Sequence, residues 1–318
     1  MEGRARWVGS ITPEGADTLR RLTASAAAEL GLAATILIWG LNFAVIKVPL
    51  ETIPPFTVNM LRYGVSVVVL GIVYVAWCRT RGVSTLADLK AAPAQVIGLG
   101  LLSNVGYQAG FITGIDLTTA GAAALLIATS PLWTAVIAHV LGIDRLRGKA
   151  WVGLAVSLGG AALVVLGRAE ASLGGEDLGI ALMLAAAAAW GLFTVLSRPV
   201  LDGGVSPMGL TVWGQTLAVP GLVALGWPGV RATDWSSVGT PEALAVVYSG
   251  GLSIGVAYVL WNQSVRVAGP SRTAAYSNLV PFIGLIAGVV FLGEPLQALQ
   301  VAGGVCIVAG LVVLRRWR

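Results

Sequence analysis

Long runs of apolar residues, separated by short polar connections, dominate the chain. A helix needs about 20 apolar residues to cross the hydrocarbon core of a bilayer, and ten segments have about this length. They cover residues 30–49, 54–78, 93–115, 118–141, 149–167, 178–198, 206–226, 241–263, 272–293 and 296–314. The pattern predicts an all-α polytopic membrane protein with ten transmembrane helices. Its longest interior loop is predicted from Gly226 to Thr240.

Composition excludes the other broad classes of protein. Hydrophobic residues make up 56% of the 318 residues and charged residues 11%, with a mean hydropathy of +0.84. Soluble domains carry about 25% charged residues, so these charges are too few to coat a soluble protein. A transmembrane β-barrel would alternate polar and apolar positions, and the basic residues are not gathered on one domain that could bind nucleic acid. Cys78 and Cys306 have neither a CxxC spacing nor a histidine partner, so no metal site is predicted.

The distribution of basic residues predicts the orientation of the ten helices. With a cytoplasmic N-terminus, all but four of the 20 Lys and Arg residues fall on the cytoplasmic side, as the positive-inside rule requires. The exceptions are Lys47, Arg168 and Arg231 outside, and Arg62 within the second helix. We therefore expect residues 1–26 to form an uncleaved cytoplasmic tail, both termini to be cytoplasmic, and the chain to lie in the cytoplasmic (inner) membrane.

The two halves of the chain resemble each other at an offset of about 150 residues. The matches pair Trp39-Gly40-Leu41 with Trp190-Gly191-Leu192, Tyr107 with Tyr258, Pro131 with Pro281, and Asp144-Arg145-Leu146 with Glu294-Pro295-Leu296. Five helices per half is an odd number, so the second half must enter the membrane from the opposite side. This predicts inverted repeats over 27–167 and 168–318, an arrangement suited to alternating access.

These motifs resemble the drug/metabolite transporter superfamily, in its EamA-type ten-helix branch. The resemblance covers about 30–315 and is carried by the two Trp-Gly pairs, Asn42, Lys47, Leu61-Arg62, Pro131-Leu132, Pro281-Phe282 and the acidic turn Leu292 to Leu296. Asp144 departs from the pattern, since the family usually has Glu there. The resemblance implies transport of small organic metabolites, amino acids among them. It also implies a substrate cavity between the halves, lined mainly by the first, third, fourth, sixth, eighth and ninth helices.

Polar and aromatic residues inside the apolar helices are the candidate substrate ligands, because buried polar atoms cost free energy unless paired. The candidates are Trp39, Asn42, Asn104, Tyr107, Gln108, Ser130, Trp133, Trp190, Tyr258, Trp261, Asn262, Tyr276, Ser277 and Asn278. Amide and phenol groups with indole walls suit a zwitterionic or aromatic metabolite of modest size. The alternative is that these side chains bond neighbouring helices to one another, and that the tryptophans are packing anchors.

A second set of residues is predicted to act in gating or structure. It comprises Arg62, Lys47, Arg198, Pro131, Pro281, Asp144 and Glu294. A charge at the depth of Arg62 is costly unless paired, and Glu51, Asp116 or helix-end carbonyls are its expected partners. A structural or gating role is favoured for Arg62 over direct binding. Lys47 and Arg198, at opposite ends of the pseudo-symmetric pair, are expected to snorkel to their interfaces.

The sequence favours a secondary transporter working as an exporter. No Asp or Glu lies in the hydrophobic centre of a predicted helix, and the only histidine, His139, is near a helix end, so we expect no carboxylate proton relay. The alternatives are an intramembrane enzyme, which would need paired acidic motifs or a Ser/His pair, and a scaffold or channel. No catalytic residue, metal or cofactor is predicted. The expected partners are the lipid bilayer and a small-molecule substrate, without nucleic acid, for a monomer or a homodimer.

Overall fold

The computed structural model describes residues 13–143, 148–166, 175–268, 273 and 276–316. Side chains are described from Glu29 onward, except at 165, 175, 176, 268, 278, 314 and 315. The α-helices in chain order are α1 (Pro13–Val45), α2 (Lys47–Leu50), α3 (Pro55–Arg81), α4 (Ala87–Ala91), α5 (Pro93–Leu101), α6 (Tyr107–Asp116), α7 (Ala120–Ile127), α8 (Ser130–Val140), α9 (Ala150–Leu166), α10 (Gly175–Asp202), α11 (Pro207–Ala232), α12 (Thr240–Val247), α13 (Ala257–Ala268), α14 (Val280–Leu292) and α15 (Ala298–Arg316). Within the described ranges no strand is present.

Seven stretches of the described chain are long and apolar enough to cross a membrane. They are Glu29–Leu50, Pro55–Arg81, Pro93–Asp116, Ala120–Val140, Asp177–Asp202, Pro207–Ala232 and Thr240–Val267. Three shorter apolar helices cover Ala150–Val164, Val280–Leu292 and Ala298–Val313, at the positions of the predicted fifth, ninth and tenth spans. The prediction of an all-α polytopic membrane protein is confirmed. The count of ten spans and their inverted repeat stay predictions.

Two of the spans contain a π-helical turn at equivalent places. Leu102–Gly106 joins α5 to α6, and Tyr248–Val256 joins α12 to α13. A π turn closes its hydrogen bonds from i to i+5 and is frequent at functional sites. Each of these turns is followed directly by a helix that carries candidate ligands.

Capping residues set several helix boundaries. Pro55 and Pro207 occupy the first helical position, where the missing N–H costs no hydrogen bond. The side chains of Thr119 and Ser206 accept bonds from backbone N–H groups of the first turns of α7 and α11. At the other end, Gly293 terminates α14 with φ of 65°, a left-handed conformation that favours glycine.

The predicted loop from Gly226 to Thr240 is wrong over its first half. Helix α11 continues through Pro220 and Pro228 and ends only at Ala232, which leaves a loop over 233–239. Pro228 suggested a break, but transmembrane helices tolerate proline where neighbouring groups satisfy the freed backbone.

The fourth predicted span breaks just before Pro131, where α7 ends and α8 begins. The carbonyls exposed at this break meet neighbouring hydroxyls. Ser130 Oγ donates to the carbonyl of Ile127 at 2.6 Å, and Thr129 Oγ1 donates to that of Leu126 at 2.7 Å. The backbone carbonyls at the break are therefore hydrogen-bonded by hydroxyl side chains of the break itself.

Close helix crossings at glycine recur in the two halves. A Cβ atom at Gly40 would lie 2.5 Å from Ile283 of α14, and one at Gly191 would lie 2.8 Å from the backbone nitrogen of Thr134 in α8. Glycine lets such helices approach within backbone contact. These two crossings each join one half of the chain to the other, at positions offset by about 150 residues, as the predicted repeat requires.

The crossing of α9 with α15 gives a stability prediction. A Cβ at Gly160 would lie 2.6 Å from the carbonyl oxygen of Gly303 and 2.7 Å from the nitrogen of Ile307, whereas Gly159 has nothing within 4 Å. Gly160→Val should lower the free energy of unfolding by about 1–3 kcal/mol, the usual cost of overpacking. Gly159→Val is the matched control, with the same change in helix propensity. Thermal unfolding in detergent measures both, and equal midpoints would refute the close crossing.

Candidate functional site

A small cavity lies between helices of the two predicted halves. Its volume is about 50 Å³. Its lining comes from α1, α3, α6, the region where α7 meets α8, α10, the second π turn, α13, and the turn and first residue that begin α14. The lining residues are Trp39, Asn42, Phe43, Arg62, Tyr107, Gln108, Phe111, Ile127, Ala128, Ser130, Trp190, Ser253, Tyr258, Ser277 and Val280. This space holds a few water molecules, so an organic metabolite needs the helices to move apart before it fits.

Aromatic rings form one wall of the cavity. The ring of Trp39 lies 5.4 Å from that of Trp190 and 5.1 Å from that of Trp261, centroid to centroid. Trp190 is in turn 5.1 Å from both Tyr107 and Tyr258. These separations suit edge-to-face and tilted contacts, which hold aromatic clusters rigidly. The indole of Trp39 is fixed further, because its Nε1 donates to the carbonyl of Ser253 at 2.9 Å.

Amide side chains form the polar part of the cavity. Asn42 Oδ1 accepts a bond from Ser249 Oγ at 2.6 Å, and Gln108 Nε2 donates to the hydroxyl of Tyr258 at 3.0 Å. The Oε1 atom of Gln108 is buried and has no hydrogen-bond partner among the described residues. A buried acceptor left unpaired costs free energy, so a ligand donor at this point would be stabilised.

Eight of the predicted ligands line the cavity. They are Trp39, Asn42, Tyr107, Gln108, Ser130, Trp190, Tyr258 and Ser277. Residues that the sequence reasoning missed are Phe43, Phe111 and Ser253. Phe43 follows Trp39 by four residues and so shares its helix face, a signal that was available. Ser253 lies in an apolar run, within a Gly-x-Ser-x-Gly pattern that was dismissed as a nucleophile elbow because no strand is predicted before it, and it was not considered as a ligand. The binding role of all these residues stays a prediction.

The other predicted ligands lie outside the lining. Asn104 accepts from the hydroxyl of Tyr63 and donates to the carbonyl of Gly100, and Asn262 donates to Thr211 of α11. Both amides thus bond neighbouring helices.

Three aromatic candidates pack against other residues and do not line the cavity. Trp133 packs against Gly191, Trp261 lies behind the tryptophans of the wall, and Tyr276 packs against the hydrophobic core. The side chain of Asn278 is outside the described part of the structure.

Arg62 has neither the partners nor the location that the sequence suggested. Its side chain is 1% exposed, and its Nη1 donates to Asn59 Oδ1 of the same helix at 3.3 Å. Nε has no hydrogen-bond partner, and no acidic side chain of the described chain pairs with the guanidinium. The expected pairing with Glu51, Asp116 or helix-end carbonyls is therefore wrong, because Arg62 turns inward and lines the cavity.

Lys47 and Arg198 occupy related positions beside the ends of other helices. Lys47 Nζ donates to the carbonyls of Asp116 and Thr118, just past the C-terminal end of α6. Arg198 pairs with Asp202 at 2.6 Å and approaches the carbonyl of Val265 in α13 at 3.5 Å. Cations are favourable at helix C-termini because the helix dipole is negative there.

Two carboxylates cap helices of the opposite predicted half. Glu294, beyond the end of α14, accepts bonds from the nitrogens of Ala120 at 2.6 Å and Gly121 at 2.9 Å, at the N-terminus of α7. Asp88 accepts from Ser206 N at 2.6 Å, Ser206 Oγ at 2.7 Å and the hydroxyl of Tyr74 at 2.8 Å, at the N-terminus of α11. Negative charge is favourable at both places.

These two links lie at opposite ends of the helix bundle. Tyr74 is about 28 Å along α3 from Pro55 at 1.5 Å per residue, and the Pro55 end adjoins Lys47 and its contacts with the loop before α7. Asp88 was missed in the sequence, since nothing in its short helix marks it as a cap for a distant chain segment. Asp144, the predicted counterpart of Glu294, is outside the described residues.

Comparison with known proteins places these features in a family context. The model of the EamA-like transporter family matches the chain twice, over residues 26–166 and 177–316. A protein of Salmonella typhimurium named "Probable amino-acid metabolite efflux pump" is 30% identical, over 87% of this chain and 91% of its own. A protein of the same name from Escherichia coli is 28% identical, over 89% and 94%.

Two further similarities concern location and fold. The "Uncharacterized inner membrane transporter YedA" of Escherichia coli is 27% identical, over 89% of each chain. One solved crystal structure superposes with a TM-score of 0.64 at 23% identity, covering 91% of this chain and 97% of that one. At this level of identity the superposition shows a shared fold.

Proposed function

We propose that this chain, which belongs to the EamA-like transporter family and is a membrane transporter, exports a small organic metabolite, an amino acid or a similar compound, by alternating access. The observation that carries the proposal is the enclosed cavity between the predicted halves, walled by Trp39, Trp190 and Tyr258 and edged by Asn42 and Gln108. Rings contact an apolar side chain or an ammonium group, and amides orient polar groups. The names of two relatives as amino-acid metabolite efflux pumps agree with such a substrate.

The placement of the inter-half links supports alternating access. Glu294 joins α7 at one end of the bundle, and Asp88 joins α11 at the other. Releasing one link while keeping the other would open the cavity to one side only. With both termini in the cytoplasm of an inner-membrane protein, as the basic residues predict, the Glu294 link lies on the external side and the Asp88 link on the cytoplasmic side.

The lining chemistry favours transport over catalysis. The cavity has no carboxylate among its described lining residues. His139 lies instead against the ring of Trp151, 5.6 Å between centroids. The described lining therefore has neither a carboxylate nor a histidine to serve as general acid or base near neutral pH. We propose a facilitator or exchanger that needs no carboxylate proton relay, with one chain sufficient to form the cavity.

An export screen tests this function. Overproduction should raise the resistance of cells to toxic amino-acid analogues, and loaded vesicles containing the purified protein should exchange the compound that the screen identifies. Asn42→Ala and Tyr258→Ala should each lower the exchange rate about tenfold, the effect of losing about 1.4 kcal/mol of binding. Trp235→Ala, in the exposed loop before α12, is the control and should exchange normally. Full exchange by both cavity variants would place the substrate elsewhere.

A further inference from the structure

Arg62 is a charged group whose burial the fold does not explain. It is among the largest fully buried side chains, within a helix that is apolar and long enough to span the membrane. Among the described residues its only hydrogen-bond partner is the neutral oxygen of Asn59, 3.3 Å from Nη1. A charge at such depth is costly and normally marks a functional site with a partner. The described protein supplies no such partner.

Arg62 is one of the residues that line the cavity, and part of its guanidinium has no hydrogen-bond partner. The rings of Tyr107, Tyr258 and Trp190 line the same cavity. Asn59 occupies Nη1 alone, and Nε is buried without a hydrogen bond. Nε and Nη2 form the edge of the guanidinium that matches a planar carboxylate with two parallel hydrogen bonds. The asparagine therefore leaves this edge without a hydrogen-bond partner among the described residues, so a ligand that enters when the helices move apart would find it unpaired.

We propose that Arg62 recognises the carboxylate of the transported metabolite, so that the cavity selects compounds with one free carboxylate next to an apolar or aromatic group. This inference rests on the proposed transport function and specifies its substrate class. It replaces the structural or gating role that the sequence favoured for Arg62.

Charge balance points to a carboxylate over other anions. Arg62 is the one cation among the described lining residues, and no acid of that lining opposes it. A single carboxylate neutralises it, whereas a phosphate dianion would leave a negative charge buried in the cavity. An ammonium group on the same ligand would lie against the faces of the rings, at the distance where cation–π attraction acts.

Ligand binding to the purified full-length protein tests the proposal. The probes are L-leucine and L-phenylalanine, their carboxamides, and phenyl phosphate. Binding is followed by the fluorescence of the tryptophans, two of which, Trp39 and Trp190, line the cavity, with Trp261 packed against both. We expect at least one acid to bind 10- to 100-fold more tightly than its amide, the range of about 1.5–3 kcal/mol for a hydrogen bond to a charged group.

Variants separate recognition from folding. Arg62→Gln should weaken binding of the acids by the same factor and leave the amides unchanged, and Arg62→Lys should recover part of the loss. Arg266→Gln, which removes an exposed arginine bonded to Gln263, is the matched control. If Arg62→Gln fails to fold, the acid–amide comparison in the wild type and the weakened acid binding of Arg62→Lys decide the question.

Three different results would contradict carboxylate recognition by Arg62, and each has its own meaning. Equal affinity for acids and amides overturns carboxylate recognition and leaves the transport function standing. Tighter binding of phenyl phosphate than of either acid overturns it in favour of a phosphate. If none of the probes binds, both the carboxylate role and the amino-acid part of the proposed function are wrong.

Discussion

Asp88→Ala should destabilise the protein by about 2 kcal/mol or more, counting about 1 kcal/mol or more for each of the two Ser206 donors that lose their acceptor. The carboxylate is 8% exposed and accepts three hydrogen bonds, two from Ser206 and one from Tyr74. Its charge also faces the positive end of the α11 dipole. Removing it leaves the N–H and the hydroxyl of Ser206 without this acceptor, while the hydroxyl of Tyr74 keeps the carbonyl of Thr85 at 3.1 Å. It also releases the N-terminus of α11 from the preceding half of the chain. The midpoint and free energy of unfolding in detergent measure the loss.

A matched aspartate supplies the control for this prediction. Asp202 forms a surface ion pair with Arg198 four residues earlier, and its side chain is 51% exposed. Asp202→Ala should cost about 0–0.5 kcal/mol, as exposed helical ion pairs do. Asp88→Asn should be intermediate, because its amide oxygen keeps one acceptor. A loss in Asp88→Ala no larger than in Asp202→Ala would show that this cap does not support the fold.

Glu294→Ala should increase access to the cavity by about tenfold or more. Each of the two charge-assisted bonds of Glu294 is worth about 1.4 kcal/mol, and losing that much shifts the equilibrium between closed and open arrangements tenfold. The carboxylate holds the first turn of α7 against the end of α14. It sits where a Cβ atom on Gly288 would be 2.5 Å away, so the helices meet closely around it. Without it, α7 and α14 are free to separate at this end.

Cysteine labelling measures the opening. Ala128 lines the cavity and is 3% exposed, so Ala128→Cys, in a chain whose Cys78 and Cys306 are replaced, should react slowly with a charged thiol reagent. Adding Glu294→Ala should accelerate the reaction. Glu242→Ala removes an exposed carboxylate that accepts from Gly239 in a loop, and should change nothing. Identical labelling rates with and without Glu294 would rule out the link as a gate.

Hydropathy predicts the spans because apolar length is a property of the sequence alone. The spans from Pro93 to Asp116 and from Asp177 to Asp202 begin within one residue of their predicted starts. The error at Gly226 arose because proline ends a helix in water but is tolerated in a packed transmembrane helix, where neighbours satisfy the backbone. That distinction depends on tertiary contacts.

Side-chain chemistry alone did not separate ligands from helix contacts. Asn42, Asn104 and Asn262 are all asparagines within apolar runs, yet only Asn42 lines the cavity. The difference is the rotation of each helix, which periodicity cannot show when every face is apolar. The partners of Arg62 were mispredicted for the same reason, because the sequence shows how deep Arg62 lies in its helix but not which way its side chain points.

The π turns have a consequence for mutations that change chain length. A π turn closes its hydrogen bonds at i+5 and so holds one residue more than an α turn, which means that a single deletion within Leu102–Gly106 should convert it to α-helix and keep Tyr107 and Gln108 on their face. A single insertion there has no such compensation and would rotate α6 by about 100°, the turn per residue of an α-helix, so that both side chains leave the cavity. The same holds for Tyr258 after Tyr248–Val256. Insertions in these two turns should therefore be far more damaging than deletions, and comparing the two kinds of variant would test the register on which the site depends.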